Sequence, residues 1–487
     1  MLKAMRVAVL GGGPAGLTAA QLVKQHQPHW EVTLFERQTP ESTFGYGVGL
    51  GWGALKALTD TAPDLVADLE RASISVDTWT IRRGSGPAAE AISATNSHGL
   101  GISREVLLQV LRDHAERAGV DLRTGGHVSL ADVADADLVL AADGVGSDAR
   151  TALADELGVS RTKGELAFIW CGAEIARPEM TLALKATAAG PMAAHVMPYS
   201  ATSSTFQVDA MSGTIRSLAE ACTSPGSGEA SLAFLEEAYA DLLGGTGLRA
   251  KRPVWQVFET IACERWSTGN VVLLGDAAHT AHYTVGSGTG LATEDAACLA
   301  EALAGSASVA DAFASYQAAR QPRVRKLQDR AARSELWWST MAQRIDAPLP
   351  RVLLGYLSRT GAVPLAAIAK LNADLVQSVL PGAPCDERLA DAVLAGKVVT
   401  GIDATDVDVP GTPTLAGLRD LADDLRGAAT VRLTGPDTAE AVLDRLDVAE
   451  HLRAAASLTT VVTAGADRKD VLALGVLTGR TDLVEIR

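Results

Sequence analysis

Residues 6–36 read RVAVLGGGPAGLTAAQLVKQHQPHWEVTLFE. Arg6–Leu10 is a short strand pattern. It is followed by Gly11-Gly12-Gly13-Pro14-Ala15-Gly16, which satisfies G-x-G-x-x-G, and by helical periodicity through Val23. A second strand pattern, Val32–Phe35, ends at Glu36, twenty residues beyond Gly16. Glycines allow a tight turn and close approach of backbone to a diphosphate, whose charge the helix N-terminus attracts. An acid at this separation accepts from a ribose hydroxyl. The glycine run alone fits a plain βαβ unit. Strand, helix and acid together predict a dinucleotide site in an α/β, Rossmann-type domain.

A second informative stretch is VVLLGDAAHTAHYTVGSGTGLATEDA, residues 271–296. Its apolar start predicts a buried strand ending at Gly275-Asp276, where a carboxylate can accept from a sugar hydroxyl. The glycine-spaced loop Gly286-Ser287-Gly288-Thr289-Gly290 then enters a helix pattern from Leu291. Free amides at such a junction favour negative charge, and the N1–C2=O edge of a reduced flavin carries it. These features predict the flavin-facing half of an FAD site. Between the two stretches, Ala136–Ala142 predicts a strand ending in Asp143-Gly144, with Ser147 and Arg150 in the spacing D-G-x-x-S-x-x-R. This tetrad fits either a cofactor contact or a turn followed by a helix cap.

The chain has 487 residues, enough for two or three domains, and 47% hydrophobic residues to fill their cores. A formal charge of −15 disfavours nonspecific binding to nucleic acid or to an anionic membrane. Cys171, Cys222, Cys263, Cys298 and Cys385 are scattered, with no CxxC pair. They predict reduced thiols in the cytoplasm, with neither a disulfide framework nor a metal site. The N-terminus enters a strand pattern almost at once, so no signal peptide is expected. No apolar run reaches membrane-spanning length.

The predicted organisation has four parts. A discontinuous FAD-binding domain takes residues 1–165 and 250–330, and a β-sheet domain covering the substrate takes 166–249. A helical segment follows at 331–380, and a small C-terminal α/β domain at 381–487 begins at the linker-like Pro381-Gly382-Ala383-Pro384. Phe44–Gly51 is expected to be a glycine-rich loop, either beside the cofactor or at the surface. Residues 103–118 predict an amphipathic helix with Arg104 in its first turn, placed to reach a phosphate or ribose. Arg320, Arg323, Arg325, Lys326, Arg330 and Arg333 form a cationic helical stretch, read as a solvated face balancing nearby acids rather than a phosphate site.

The order and spacing of the three motifs resemble the single-component FAD aromatic hydroxylases typified by p-hydroxybenzoate hydroxylase. Phe168 to Gly172, Ser204 to Phe206 and GDAAHTAHYTVGSGT are similar to the branch of salicylyl-CoA 5-hydroxylase and the monooxygenase part of anthraniloyl-CoA monooxygenase. That branch, like this chain, lacks the prolines common after GDAAH. It carries a lysine where this chain has Gly290, and the tail here is too short for the reductase barrel of anthraniloyl-CoA monooxygenase. The resemblance implies a diphosphate turn at Gly11, Gly13 and Gly16, and an adenosine end at Glu36 with Arg37. It implies contacts to the FAD phosphate or ribitol from Arg104 and Asp276, a role for Asp143 and Gly144 toward FAD and NADH or NADPH, and an isoalloxazine-facing loop at Gly286, Ser287, Gly288 and Thr289.

The implied reaction is hydroxylation of an aromatic substrate, an aryl thioester among the candidates, by dioxygen through a C4a-hydroperoxyflavin. His195, His282 and Tyr283 are candidates to polarise the substrate, and Trp170 and Phe206 to line its pocket. As histidines beside a flavin loop and aromatics on strands, they equally suit structural roles. A homodimer is compatible with this reading. Three alternatives stay open: a hydroxylase of a free aromatic or polycyclic product, a dehydrogenase working without oxygen, and a flavin-binding protein that does not oxygenate. A flavin halogenase is disfavoured because W-x-W-x-I-P is absent.

Overall fold

The computed structural model describes residues 3–39, 45–85, 89–95, 99–221, 228–251 and 253–487. Its organising element is a six-stranded sheet in the order Ser267–Thr268, Val271–Leu273, Leu138–Ala141, Arg6–Leu10, Glu31–Glu36, Asp121–Thr124. All pairings are parallel except that between Ser267–Thr268 and Val271–Leu273. Parallel strands covered on both faces read as continuous apolar runs, and Leu138–Ala141 is buried at every position. The helices Pro14–His26 and Gly288–Gly305 pack beside this sheet, joining Leu17, Leu22 and Leu299 to Val9, Leu34, Leu140 and Leu273 in one core. Pro14 starts its helix where a missing N–H costs nothing.

Register decides what this sheet can hold. Leu10 lies beside both Phe35 and Ala141, and Leu273 beside Ala141. The chain therefore leaves four adjacent strands at one level, through Gly11, Glu36, Ala142-Asp143 and Leu274-Gly275. That carboxyl edge is where open α/β sheets bind ligands.

A second, eight-stranded sheet comprises Val159–Ala173, Met180–Thr187, Gly190–Pro198, Ser204–Met211, Leu248–Arg249 and Gln256–Cys263, together with Thr78–Arg83 and Glu90–Thr95 from the N-terminal part. Side chains alternate between its faces. Ile169, Cys171, Val196, Phe206 and Val208 enter a core with Leu235, Tyr239 and Leu242. Phe168, Trp170, His195, Gln207 and Asp209 occupy the other face in matched register.

Part of the expected glycine-rich loop is a strand. Gly47–Gly51 pairs antiparallel with Gly99–Ser103, while Phe44 lies outside the described residues. The glycines at alternate positions explain this: a Cβ on Gly47 would stand 2.3 Å from the Tyr199 side chain, so only a bare backbone lies flush there.

The C-terminal part has a parallel four-stranded sheet, Thr405–Asp408, Thr430–Thr434, Thr459–Ala464 and Leu483–Ile486. Its core is continuous with Leu336, Trp337, Trp338 and Leu353 of the preceding helices. The cationic helical stretch is not all solvated. Arg320 is buried against Glu294 and Asp295, and Arg333 is buried against Asp444. Around Arg333, Arg480 pairs with Asp447, and Arg344 with Glu450. Cys171, Cys263, Cys298 and Cys385 are unpaired, and Cys222 lies outside the described residues. Among the described residues no helix is long and apolar enough to cross a membrane.

Arg333 donates from Nε and Nη2 to Asp444 Oδ1 at 3.1 and 2.8 Å. Replacing Asp444 with alanine removes both of these bonds and leaves the buried guanidinium with the Glu440 carbonyl at 3.3 Å and the more distant Asp447 carboxylate at 3.8 Å. We expect Asp444→Ala to cost about 3–5 kcal/mol in equilibrium denaturation. A loss below about 1 kcal/mol would contradict a buried ion-pair lock.

A candidate FAD cleft and its substrate face

The glycine turn at residue 11 is closed by its own backbone. Gly11 has φ +103°, and a Cβ there would stand 2.3 Å from the Ala142 carbonyl oxygen; one on Gly16 would stand 1.9 Å from the Gly11 carbonyl oxygen. Gly13 differs, because a Cβ there meets nothing within 4 Å. It borders open space at the start of the Pro14–His26 helix, as a diphosphate requires. Glu36 is held at this turn: Gly12 N donates to its Oε2 at 2.6 Å and Gln38 N to its Oε1 at 2.8 Å. A carboxylate so fixed keeps lone pairs for a hydroxyl. Arg37 follows it and is exposed.

Arg104 opens the Arg104–Ala118 helix, and its amide donates to the Tyr46 carbonyl at 2.7 Å. Burial lowers its proton affinity, and the carboxylates of Asp276 and Glu36 act against this. Arg104 therefore lies within electrostatic reach of both Glu36, expected at the adenosine end of the cofactor, and Asp276, expected at its middle. Burial raises the pKa of Asp276, offset by His279, Arg104 and Arg150. Yet its surface is open to solvent. A carboxylate that is deep among protein atoms and still wetted lines a cleft.

Two further groups support this cleft, and of these only Asp295 has no counterpart among the sequence motifs. Asp295 is wholly buried; its Oδ2 accepts from Gly275 N at 3.0 Å and from His279 Nε2 at 2.7 Å, and its Oδ1 accepts from Arg320 Nε at 2.8 Å. Burial alone would raise its pKa, but His279 and Arg320 bring it below the ordinary value. Arg150 donates to the Asp276 and Ala277 carbonyls at 3.2 and 2.9 Å, tying the D-G-x-x-S-x-x-R segment to the Gly275-Asp276 turn. Within that segment Ser147 is the helix cap, accepting from Arg150 N at 2.9 Å, and Asp143 Oδ2 accepts from Ala149 N at 3.1 Å. Asp143 Oδ1 is buried without a partner, next to Gly144.

At the far end, the helix Gly288–Gly305 starts with no side-chain cap from Ser287, so its first amides are free for an anion. Positions 286 and 288 have open space where a Cβ would stand. Open cradle, wetted deep carboxylate and uncapped helix end fit an extended dinucleotide. Gly11–Gly16 and Glu36 would hold one end of it, Arg104 and Asp276 the middle, and Gly286–Thr289 the ring.

The substrate candidates do not all share one face. Trp170 stands beside Arg104, since a Cβ on Gly45 would lie 2.7 Å from Arg104 Cδ and 2.9 Å from the Trp170 ring. Phe206 is a correction. It lies on the opposite face of the sheet, fully buried, with its ring 5.6 Å from that of Tyr239. Strand alternation assigns it to the core.

Tyr283 packs on Phe168 at 4.5 Å and on His282 at 4.4 Å between ring centroids. Burial, then the Asp209 charge, push the Tyr283 pKa well above its usual value. Burial depresses the pKa of His282 to about 4, against the pull of Asp209. Its Nδ1 lies 3.1 Å from Thr284 Oγ1 and its Nε2 3.8 Å from Glu335 Oε1. His195 is half-buried on the same side, with its ring 5.0 Å from that of Trp338.

A family model described as an FAD binding domain matches residues 130–331. Salicyloyl-CoA 5-hydroxylase of a Streptomyces species is 33% identical, with 99% of both chains covered. The 3-hydroxy-4-methyl-anthranilyl-(aryl-carrier protein) 5-monooxygenase of Streptosporangium sibiricum is 35% identical over 359 residues, covering 74% of this chain and 95% of its own. The chain belongs to the FAD-dependent aromatic monooxygenases. The tetrameric form of 2-methyl-3-hydroxypyridine-5-carboxylic acid oxygenase shares the monooxygenase's fold, with TM-score 0.56 and 22% identity over 76% of this chain and 98% of its own. The match to the salicyloyl-CoA enzyme runs through the C-terminal α/β part of the monooxygenase as well.

Two outcomes follow from this geometry. Gly13→Val should fold with near-native stability yet purify without flavin colour, whereas Gly16→Ala, whose Cβ has no room, should lose stability. A yellow Gly13→Val protein would contradict the assignment. The pKa of His282 is lower in the folded chain (about 4) than in the unfolded chain (6.5), so the unfolded chain binds more protons between those values. Stability contributed by its neutral ring is present above pH 6.5 and lost as pH falls toward 4, to the extent of about 3 kcal/mol. Denaturation across this window should show a shallower loss in His282→Gln than in the parent; equal slopes would contradict burial of a neutral ring.

Proposed function

We propose that the monooxygenase hydroxylates an aromatic ring carried as a thioester, with NADH or NADPH as reductant. The observation that carries this is the match to salicyloyl-CoA 5-hydroxylase over 99% of both chains, the C-terminal part included. The aryl-carrier-protein relative, also named for a carrier-bound aromatic acid, supports the same class.

Reduced FAD supplies the activation of dioxygen. The residues of the chain have three other tasks. The amides of Ser287, Gly288 and Thr289, at an uncapped helix start, would offer donors to the flavin edge where negative charge collects. Trp170, Phe168 and Tyr283 offer flat apolar surface on the inner sheet face and limit water around the ring. His282, neutral at physiological pH, and Tyr283, which keeps its proton, present a neutral polar edge to a substrate hydroxyl or amine. The expected reaction needs no side-chain nucleophile.

The test compares NADH and NADPH oxidation with salicyloyl-CoA, anthraniloyl-CoA and the corresponding free acids, with product mass measured. We expect at least about tenfold greater stimulation by a thioester and a product heavier by one oxygen atom. Equal stimulation by the free acids would overturn the thioester reading. Gly288→Val, whose side chain projects into open space at the ring end, should retain FAD but divert reducing equivalents to hydrogen peroxide, with hydroxylation down about 10- to 100-fold. Unchanged coupling would count against the loop's role.

A further inference from the structure

On the sheet face that carries Phe168 and Trp170, several buried polar atoms lack well-aligned hydrogen-bond partners: His195 Nε2, Asp209 Oδ2, His282 Nε2 and Trp338 Nε1, with the Tyr283 hydroxyl facing the Asp209 carboxylate. Each such atom costs about 1–3 kcal/mol, so a group of them marks a place that something polar completes. The Asp209 carboxylate is at the centre. It is fully buried, and among the described residues no lysine or arginine pairs with it. Gln207 Nε2 donates to its Oδ1 at 2.8 Å. Its Oδ2 lies 2.9 Å from His195 Nε2, close enough to bond but off-line. Cross-strand pairing fixes this arrangement: Asp209 opposes Phe168 on one side and Ala193 on the other, while His195 opposes Gln207. Phe168 in turn packs on Tyr283, which leads into the flavin loop.

We propose that Asp209 is a positioning residue that holds the His195 imidazole with Nε2 protonated, so that Nδ1 accepts the proton of a phenolic substrate. The inference rests on the aromatic-hydroxylase reading above. In the step, the phenol O–H bond breaks and an Nδ1–H bond forms, the electron pair staying on oxygen. Nothing is oxidised. The resulting imidazolium is balanced by the Asp209 carboxylate, and the phenolate donates charge into the ring carbons that are to be hydroxylated. A histidine oriented by a buried acid is an established way to build a general base.

The test uses the full, FAD-loaded chain labelled with 15N-histidine, at about pH 8, above the usual histidine range. His195→Gln identifies the His195 signal. We expect the Nε2–H tautomer in the parent and a mixed population in Asp209→Asn. An Nδ1–H tautomer in the parent, or no change in Asp209→Asn, would overturn the proposal.

Kinetics with salicyloyl-CoA give a second readout. Each single substitution should lower kcat/KM by about 100-fold or more, and the double variant by little beyond the worse single. Losses that multiply would overturn the proposal. Absence of turnover in the parent would count against the proposed function alone, and the tautomer measurement on the unsubstituted protein would still decide the role of Asp209.

Discussion

The common level at which four parallel strands end is the constraint on which the rest depends. Leu10, Phe35, Ala141 and Leu273 stand in register, and the next residues of each strand carry the glycine turn, Glu36, Asp143 and the Gly275-Asp276 turn. Segments more than two hundred residues apart thus meet along one edge. Asp295, His279, Arg320 and Arg150 then fix the last of these turns from behind. A buried carboxylate bonded on both oxygens, between a histidine and an arginine, holds its geometry because any displacement leaves a charge unpaired.

The antiparallel sheet follows the opposite logic. One face is dry and closed by Phe206, Tyr239 and their neighbours. The other presents aromatic surface and a set of polar atoms whose partners are missing. A site built this way discriminates by both shape and hydrogen bonding, since a ligand without the matching polar atom leaves the cost of those groups in place. The C-terminal sheet shares a continuous core with the helices behind this face and is locked to them by buried Arg333 and Arg344, so it adds rigidity behind the site.

Much of the cofactor cleft was legible in the sequence because backbone chemistry builds it. Glycines at required positions, strand-terminal acids and an arginine in the first turn of a helix leave local traces, and the strand register brings Gly11, Glu36, Asp143 and Gly275 to one sheet edge. The substrate face was less legible, since period-two alternation gives two faces without saying which is inside. Phe206 was placed on the wrong one for that reason. Asp209 left a trace that went unread: Thr205, Gln207 and Asp209 recur with period two along an apolar strand, a polar stripe in a buried sheet. Asp295 and Arg320 meet only when two helices pack, and nothing local predicts that. The strand at Gly47–Gly51 was hidden because its glycines suggest a loop, while the constraint at Gly47 is contact with Tyr199.

The most direct test of the account is an experimental structure of the protein grown with FAD. The account predicts the diphosphate over Gly13, the adenosine ribose on Glu36, the middle of the molecule between Arg104 and Asp276, and the isoalloxazine against Gly286–Thr289 with its substrate side toward Tyr283 and Trp170. A flavin bound elsewhere, or these turns closed on one another in a protein saturated with FAD, would contradict it.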